Sequence, residues 1–206
     1  MSLATSRKYL KRQETLYSYH DAFHSIYAVS SGAIKTVHID LEGNQHIQQF
    51  YFQGESLGFD AIYPNYHPFS AITITASEIC KIPYNTLMNF ISLNHQFYPQ
   101  LISKISQQFN FGLYVNSYSA EQRIACFLLE LIKRLDIDKT NLEFDILMSR
   151  QDIGHYLGLA TETISRVLTR FQQRHLIETA QKKMKICDIN ALQWIAQDGI
   201  FNQDNR

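Results

Sequence analysis

The chain has 206 residues, with 19 Lys plus Arg against 19 Asp plus Glu, 45% hydrophobic residues, 13% aromatics, 8 Gly and 4 Pro. Zero net charge excludes a uniformly basic or acidic protein, so any nucleic-acid surface must be local, and the composition excludes collagen-like, low-complexity and disordered classes. No run approaches the roughly 18 consecutive apolar residues of a membrane span and no secretory signal opens the chain, so a cytoplasmic protein without a membrane partner is expected.

Met1-Ser2-Leu3 reads as a vector-derived start, and the segment 7–12 enters the fold without an introduction, which leaves room for a natural start further upstream. From Ile26 to Phe52 apolar and polar residues alternate with period two, Ala33, Val37, Ile39 and Leu41 against Thr36, His38 and Asp40, as half-buried strands do. Breakers at Ser31-Gly32, Glu42-Gly43-Asn44 and Gln53-Gly54-Glu55 predict consecutive hairpins of an antiparallel roll or barrel, and Ala71–Thr75 adds a β-branched strand. The first 90 residues therefore read as mostly β.

The pattern then changes. From about His95 to Ser117 Ile102, Ile105, Phe109 and Leu113 recur at helical spacing, with Pro99 near the start, and predict one helix of about six turns whose apolar stripe is covered by its own domain or by a second copy. A dimer seam is the favoured reading. A second helix, Ala120 to Leu135, places Ile124, Phe127, Leu128, Leu131 and Leu135 on one face, and a polar connection, Asp136 to Asn141, follows.

Residues 149–171 predict two helices and a tight turn. Ser149 caps the first, Asp152 favours its positive end, Ile153 and Leu157 face inward, and Gly158 accepts the left-handed conformation that ends it. The second starts at or next to Thr161, burying Ile164, Val167, Leu168 and Phe171 and presenting Glu162, Thr163, Ser165, Arg166, Thr169 and Arg170 on its other side. This is a helix-turn-helix pattern. Arg166 suits guanine O6 and N7, Glu162 cytosine N4, Ser165 or Thr161 thymine, and Arg170 a phosphate. Between Ala160 and Lys185 six basic residues face two glutamates, a local charge of +4 in a neutral chain. Leu176–Thr179 and Met184–Cys187 predict two strands around Gln181-Lys182-Lys183, a basic hairpin in the position of a wing. The predicted DNA-facing set is Arg150, Gln151, Thr161, Glu162, Thr163, Ser165, Arg166, Arg170, Lys182 and Lys183. A solvated amphipathic helix pair would share the spacing.

The segment 149–171 closely resembles the helix-turn-helix of the Crp/Fnr superfamily, on its Fnr branch. The run 120–128 is similar to the opening of that family's helix after the dimer helix, and 54–62 with His67-Pro68 and Cys80-Lys81-Ile82-Pro83 to its β-roll. The resemblance spans residues 25–190. It implies an α+β protein with an N-terminal antiparallel, cyclic-nucleotide-binding-like β-roll sensor (1–92), a long dimerisation helix (93–118) and a C-terminal winged helix-turn-helix (119–206). It also implies a transcription regulator rather than an enzyme, a homodimer on double-stranded DNA with TTGAT-like palindromic half-sites read by Glu162, Ser165 and Arg166, and contact with RNA polymerase.

Two departures bear on the effector. Cyclic-nucleotide sensors of the superfamily use a Glu and an Arg-Ser pair where this chain has Phe59 and Phe69-Ser70, so cyclic AMP is not expected. Iron–sulfur sensors of the Fnr branch need four thiolates, and only Cys80 stands at such a position, so no cofactor is expected in this chain. Either a cysteine-bearing N-terminal segment is missing or the cluster has been lost. The histidines His20, His24, His38, His46 and His67 raise a competing reading, a small-molecule- or metal-binding β-roll or cupin-like metalloenzyme. No HxH pair supports it.

Overall fold

The computed structural model describes residues 6–40, 42–109, 118–138 and 141–201. The chain divides into two compact units, Met1–Phe111 and Gly112–Arg206. No helix among the described residues is long and apolar enough to cross a membrane.

The first unit is a roll of two four-stranded antiparallel sheets. One has the order β1 (Ser6–Leu10), β8 (Ser77–Pro83), β3 (Ser25–Ser31), β6 (Ser56–Leu57); the other runs β2 (Thr15–Tyr17), β7 (Ser70–Thr73), β4 (Ala33–Ile39), β5 (Gln45–Phe52). Each of the eight strands contributes to one core: Leu10, Leu16, Tyr17, Val29, Ile34, Tyr51, Leu57, Ala71 and Ile79 are all buried against one another. The alternation predicted for β4 is corrected: Ala33 to Val37 are all buried, Lys35 and Thr36 among them, while Ile39, expected inside, is exposed, because this strand is covered on both faces over most of its length.

Consecutive hairpins are only partly correct as a description. β4 and β5 form a hairpin, with an extra residue opposite Thr36 and Val37, but β3 and β4 belong to different sheets. Gly32, at φ +86°, carries the crossing, and a Cβ there would run into Ser77 and the carbonyl of Ala76. The period-two stretch read from Ile26 to Phe52 does not mark the first strand of the roll. β1 and β2 precede it, and β1 is an edge strand whose only buried residue is Leu10, which leaves no alternation to read.

The helix predicted from about His95 to Ser117 is present in its described part but starts later, at Tyr98, and a helix that was not predicted precedes it. Helix α1 (Tyr84–Leu93) comes first and stops where Asn94 leaves helical geometry and its Nδ2 donates to the Phe90 carbonyl at 2.8 Å. His95–Phe97 form one 3₁₀ turn, and α2 covers Tyr98–Phe109 with Pro99 in its first turn. The rest of the predicted helix, including Leu113, lies outside the described residues. In α2, Ile102 is 62% and Tyr98 41% exposed.

Within the roll, His67 is 2% exposed, its ring stacks on Tyr17 at 3.7 Å, and neither its Nδ1 nor the Tyr17 hydroxyl has a partner among the described residues. Burial holds the imidazole below its ordinary 6.5 and pushes the Tyr17 phenol well above its ordinary range. The unfolded chain therefore takes up the His67 proton first as pH falls through 6.5, and stability drops from that point downward. Urea unfolding at pH 7.5 and 5.5 should show this loss, and His67→Phe should abolish His67's share of it; an identical pH dependence in the variant would refute the assignment.

The second unit begins with α3 (Ala120–Arg134), capped by reciprocal bonds between Ser119 and Gln122. Its buried face, including Ile124, Leu128 and Leu131, packs on α5 (Thr161–Gln173) and α6 (Ile189–Phe201). Helix α4 (Arg150–Leu157) precedes α5, and a three-stranded sheet has the order β10 (Ile177–Ala180), β11 (Lys183–Ile186), β9 (Glu143–Asp145). β9 and α6 were not predicted; three residues are too few to show a period.

Candidate nucleic-acid interface

Helix α4 starts on a full capping box. Ser149 Oγ accepts from the Asp152 N–H at 3.0 Å, and the Ser149 N–H donates to Asp152 Oδ2 at 3.2 Å. It ends at Gly158, at φ +63° and ψ 39°, the left-handed conformation glycine accepts at least cost. Arg123 of α3 closes that end, its Nη1 donating to the Leu157 carbonyl at 3.0 Å. The turn then folds back so tightly that a Cβ on Gly154 would lie 2.6 Å from the Leu159 carbonyl oxygen, while the Leu159 N–H donates to the Gly154 carbonyl at 2.9 Å. Gly154 was not among the residues predicted to matter. The signal was there: a glycine inside a helix costs about 1 kcal/mol relative to alanine, and its presence asks for a packing reason.

Helix α5 begins at Thr161, as predicted, behind Ala160, which offers no side-chain cap. Ile164, Val167, Leu168 and Phe171 are buried and fix its rotation, at roughly 1.5–3 kcal/mol each. Glu162, Arg166, Thr169 and Arg170 are exposed, while Thr161, Thr163 and Ser165 are half-buried. Glu162, Ser165, Arg166, Thr169 and Arg170 follow one another at i, i+3, i+4, i+7 and i+8 and so share a face. Ser165, Arg166, Thr169 and Arg170 line an open depression on it. Arg150 and Gln151 are exposed in the first turn of α4.

The wing is mounted on the same helix. Gln172 Nε2 donates to Thr179 Oγ1 at 2.8 Å, joining α5 to β10, and the β10–β11 turn carries Gln181 at φ +56° with Lys182 and Lys183 exposed beside it. The residues predicted to face DNA thus come from the start of α4, the exposed face of α5 and the wing.

Two of the predicted phosphate contacts have acidic partners that no linear pattern announces. Arg170 Nη1 lies 2.8 Å from Glu121 Oε1 of α3, and Lys183 Nζ lies 2.8 Å from Glu143 Oε1 of β9. Hydrogen bonding within the latter pair raises the Lys183 ammonium above its ordinary value and holds the Glu143 carboxyl below the usual carboxylate range.

The cofactor positions are less favourable. Phe59 sits in a 3₁₀ turn (Phe59–Ala61) after Gly58, Phe69 meets His38 edge-on, and Ser70 Oγ accepts the Tyr19 N–H at 2.8 Å. No guanidinium stands there as a phosphate partner in the sequence. Cys80 is half-buried in β8, whereas Cys126 and Cys187 belong to the second unit. One thiolate does not fit a four-iron cluster. Among the described residues no three His, Cys, Asp or Glu side chains gather as a metal site, and His20 and His24 are exposed. The metalloenzyme reading is not favoured.

Comparison with known proteins agrees with this geometry. Residues 7–94 match the model of the cyclic nucleotide-binding domain and residues 122–195 that of the Crp-like helix-turn-helix domain. The chain is 35% identical over 191 residues to the anaerobic regulatory protein of Haemophilus influenzae, covering 90% of this chain and 74% of that protein. It is 36% identical over 184 residues to the transcriptional activator protein Anr of Pseudomonas protegens (87% and 75%), and 34% over 195 residues to the fumarate and nitrate reduction regulatory protein of Escherichia coli (92% and 78%). Among solved structures, FixK2 from Bradyrhizobium japonicum superposes with a TM-score of 0.83 at 22% identity, covering 92% of this chain and 96% of that one, a likeness of fold.

Proposed function

From the premise that the chain belongs to the Crp/Fnr family of DNA-binding transcription regulators, we propose that it works as a homodimer reading a two-fold palindrome with TTGAT-like half-sites. The exposed face of α5 carries this reading. Arg166 donates to a guanine, Glu162 accepts from a cytosine, and Ser165 with Thr161 and Thr163 lies at the same groove floor. Arg150, Gln151, Arg170, Lys182 and Lys183 hold the flanking phosphates, which set register and supply affinity without sequence information. The protein acts in the cytoplasm beside the DNA, is not an enzyme, and controls transcription by contact with RNA polymerase.

The dimer rests on α2. Tyr98, Leu101, Ile102 and Ile105 fall at i, i+3, i+4 and i+7, none is fully buried within its own unit, and Ile102 is mostly exposed. An apolar stripe of this kind is costly to leave in water, and a second copy of the same helix covers it symmetrically. The residues 1–92 act as the sensor domain, 93–118 as the dimerisation segment and 119–206 as the DNA-binding domain. The effector is neither cyclic AMP nor, for the residues of this chain, an iron–sulfur cluster: the Glu and Arg of the cyclic-nucleotide pattern are replaced by Phe59 and Phe69, and Cys80 is alone.

Light scattering at micromolar concentration with a shift titration on a TTGAT palindrome tests the reading. The expected result is a dimer, concentration-dependent or tight, that prefers the palindrome over a scrambled duplex, and an Ile102→Asp variant that is monomeric and binds weakly. A wild-type monomer that Ile102→Asp leaves unchanged would refute the dimer seam.

A further inference from the structure

The +4 segment does not keep all its charge when the chain folds. The six cations between Ala160 and Lys185 meet Glu162 and Glu178 within the segment, but Glu121 and Glu143, distant in sequence, arrive at 2.8 Å from Arg170 and Lys183. Counting those two carboxylates halves the local charge to +2. Both carboxylates are mounted on regular structure: Glu121 lies in the first turn of α3, where the positive helix end holds it, and Glu143 lies on β9, paired to β11 opposite Lys185. Both pairs remain open to solvent, with side-chain exposures of 57% and 31% for Arg170 and Glu121 and 65% and 36% for Lys183 and Glu143, so DNA can reach the cations.

We propose that Glu121 and Glu143 limit DNA affinity by holding Arg170 and Lys183 in ion pairs, which leaves base readout by Arg166 to carry a larger share of binding. The proposal rests on the DNA-binding reading above. A free arginine or lysine that meets a phosphate releases a condensed counterion, whereas a cation already neutralised by a carboxylate brings a net charge of zero to the same phosphate. The carboxylate also stays within a Debye length of the DNA backbone and repels it. The opposite role, a carboxylate that aims the cation at its phosphate, predicts the opposite sign on removal.

The experiment is titration of the full chain, wild type and the variants Glu121→Gln, Glu143→Gln, Arg170→Gln and Glu121→Gln/Arg170→Gln, against palindromic and scrambled duplexes at several salt concentrations, with thermal melts confirming folding. Each single glutamate variant should bind both duplexes about two- to five-fold more tightly, the scale of an exposed ion pair, and steepen the slope of log K against log salt by about 0.9. The ratio between duplexes should not change, and Glu121→Gln should gain nothing when Arg170 is already Gln. Affinity that is unchanged or lower in both glutamate variants overturns the proposal, and a gain in only one overturns it for the other pair. Failure of the DNA reading looks different: the wild type would not separate the two duplexes, and Arg166→Ala would alter neither.

Discussion

Replacing Arg166 by alanine should weaken binding to a cognate palindrome by about 1–3 kcal/mol per half-site, relax the preference at one guanine, and leave binding to a scrambled duplex nearly unchanged. The reason is its position. Arg166 is exposed at the centre of the α5 face, one turn from Glu162 and one turn from Arg170, and Val167 and Ile164 behind it are fully buried, so the helix cannot rotate to offer another side chain. Lys183→Ala should behave in the other way, weakening both duplexes alike, because a wing lysine meets only the backbone. Removal of the lysine also leaves Glu143 uncompensated beside the backbone, so the loss should be at least that of an unpaired lysine. Equal weakening of both duplexes by Arg166→Ala would show that α5 does not read bases.

Gly154→Ala should destabilise the second unit by about 1–3 kcal/mol and remove specific binding with it. Two effects of opposite sign meet at this residue. In an open helix the change would stabilise by about 1 kcal/mol, because alanine is the better helix former. Here the new Cβ would stand 2.6 Å from the Leu159 carbonyl oxygen, a backbone atom that moves only if the turn between α4 and α5 opens. The clash wins, and α5 loses its aim. Gly158→Ala is the milder counterpart: its Cβ would meet only Arg123 Nη1 at an ordinary 3.6 Å, so the cost is the left-handed backbone, about 1 kcal/mol. Chemical denaturation of both variants, with a shift titration, checks the order; a stabilised Gly154→Ala would show that the turn is not closed as described.

The helix-turn-helix was legible because its determinants are local. Ser149 and Asp152 sit three residues apart in a capping box, Gly158 marks the turn, and the apolar stripe from Ile164 to Phe171 has the helical period. The core of the roll was legible in the apolar content of its strands, but the alternation read in β4 was not its burial pattern, since Ala33 to Val37 are all buried and Ile39 is exposed. It was not legible in β1, where only Leu10 points inward, nor at Gly32, whose role is to carry the chain from one sheet to the other. The helix Tyr84–Leu93 was missed although the one after Asn94 was read, because only one of its ten residues, Ile91, is fully buried and no clear apolar face marks it. The partners of Arg170 and Lys183 were out of reach for a different reason: Glu121 and Glu143 come near only when α3 and β9 pack beside α5 and the wing, and residue spacing contains no trace of that.

Selection of bound duplexes from a random DNA pool by the wild-type protein tests the central claim most directly. Two recognition helices entering successive major grooves on one face of the duplex lie about 34 Å apart, one helical turn. The selected sites should therefore be two-fold palindromes with TTGAT-like halves at that spacing. Single asymmetric sites, or a pool with no enriched sequence, would contradict it.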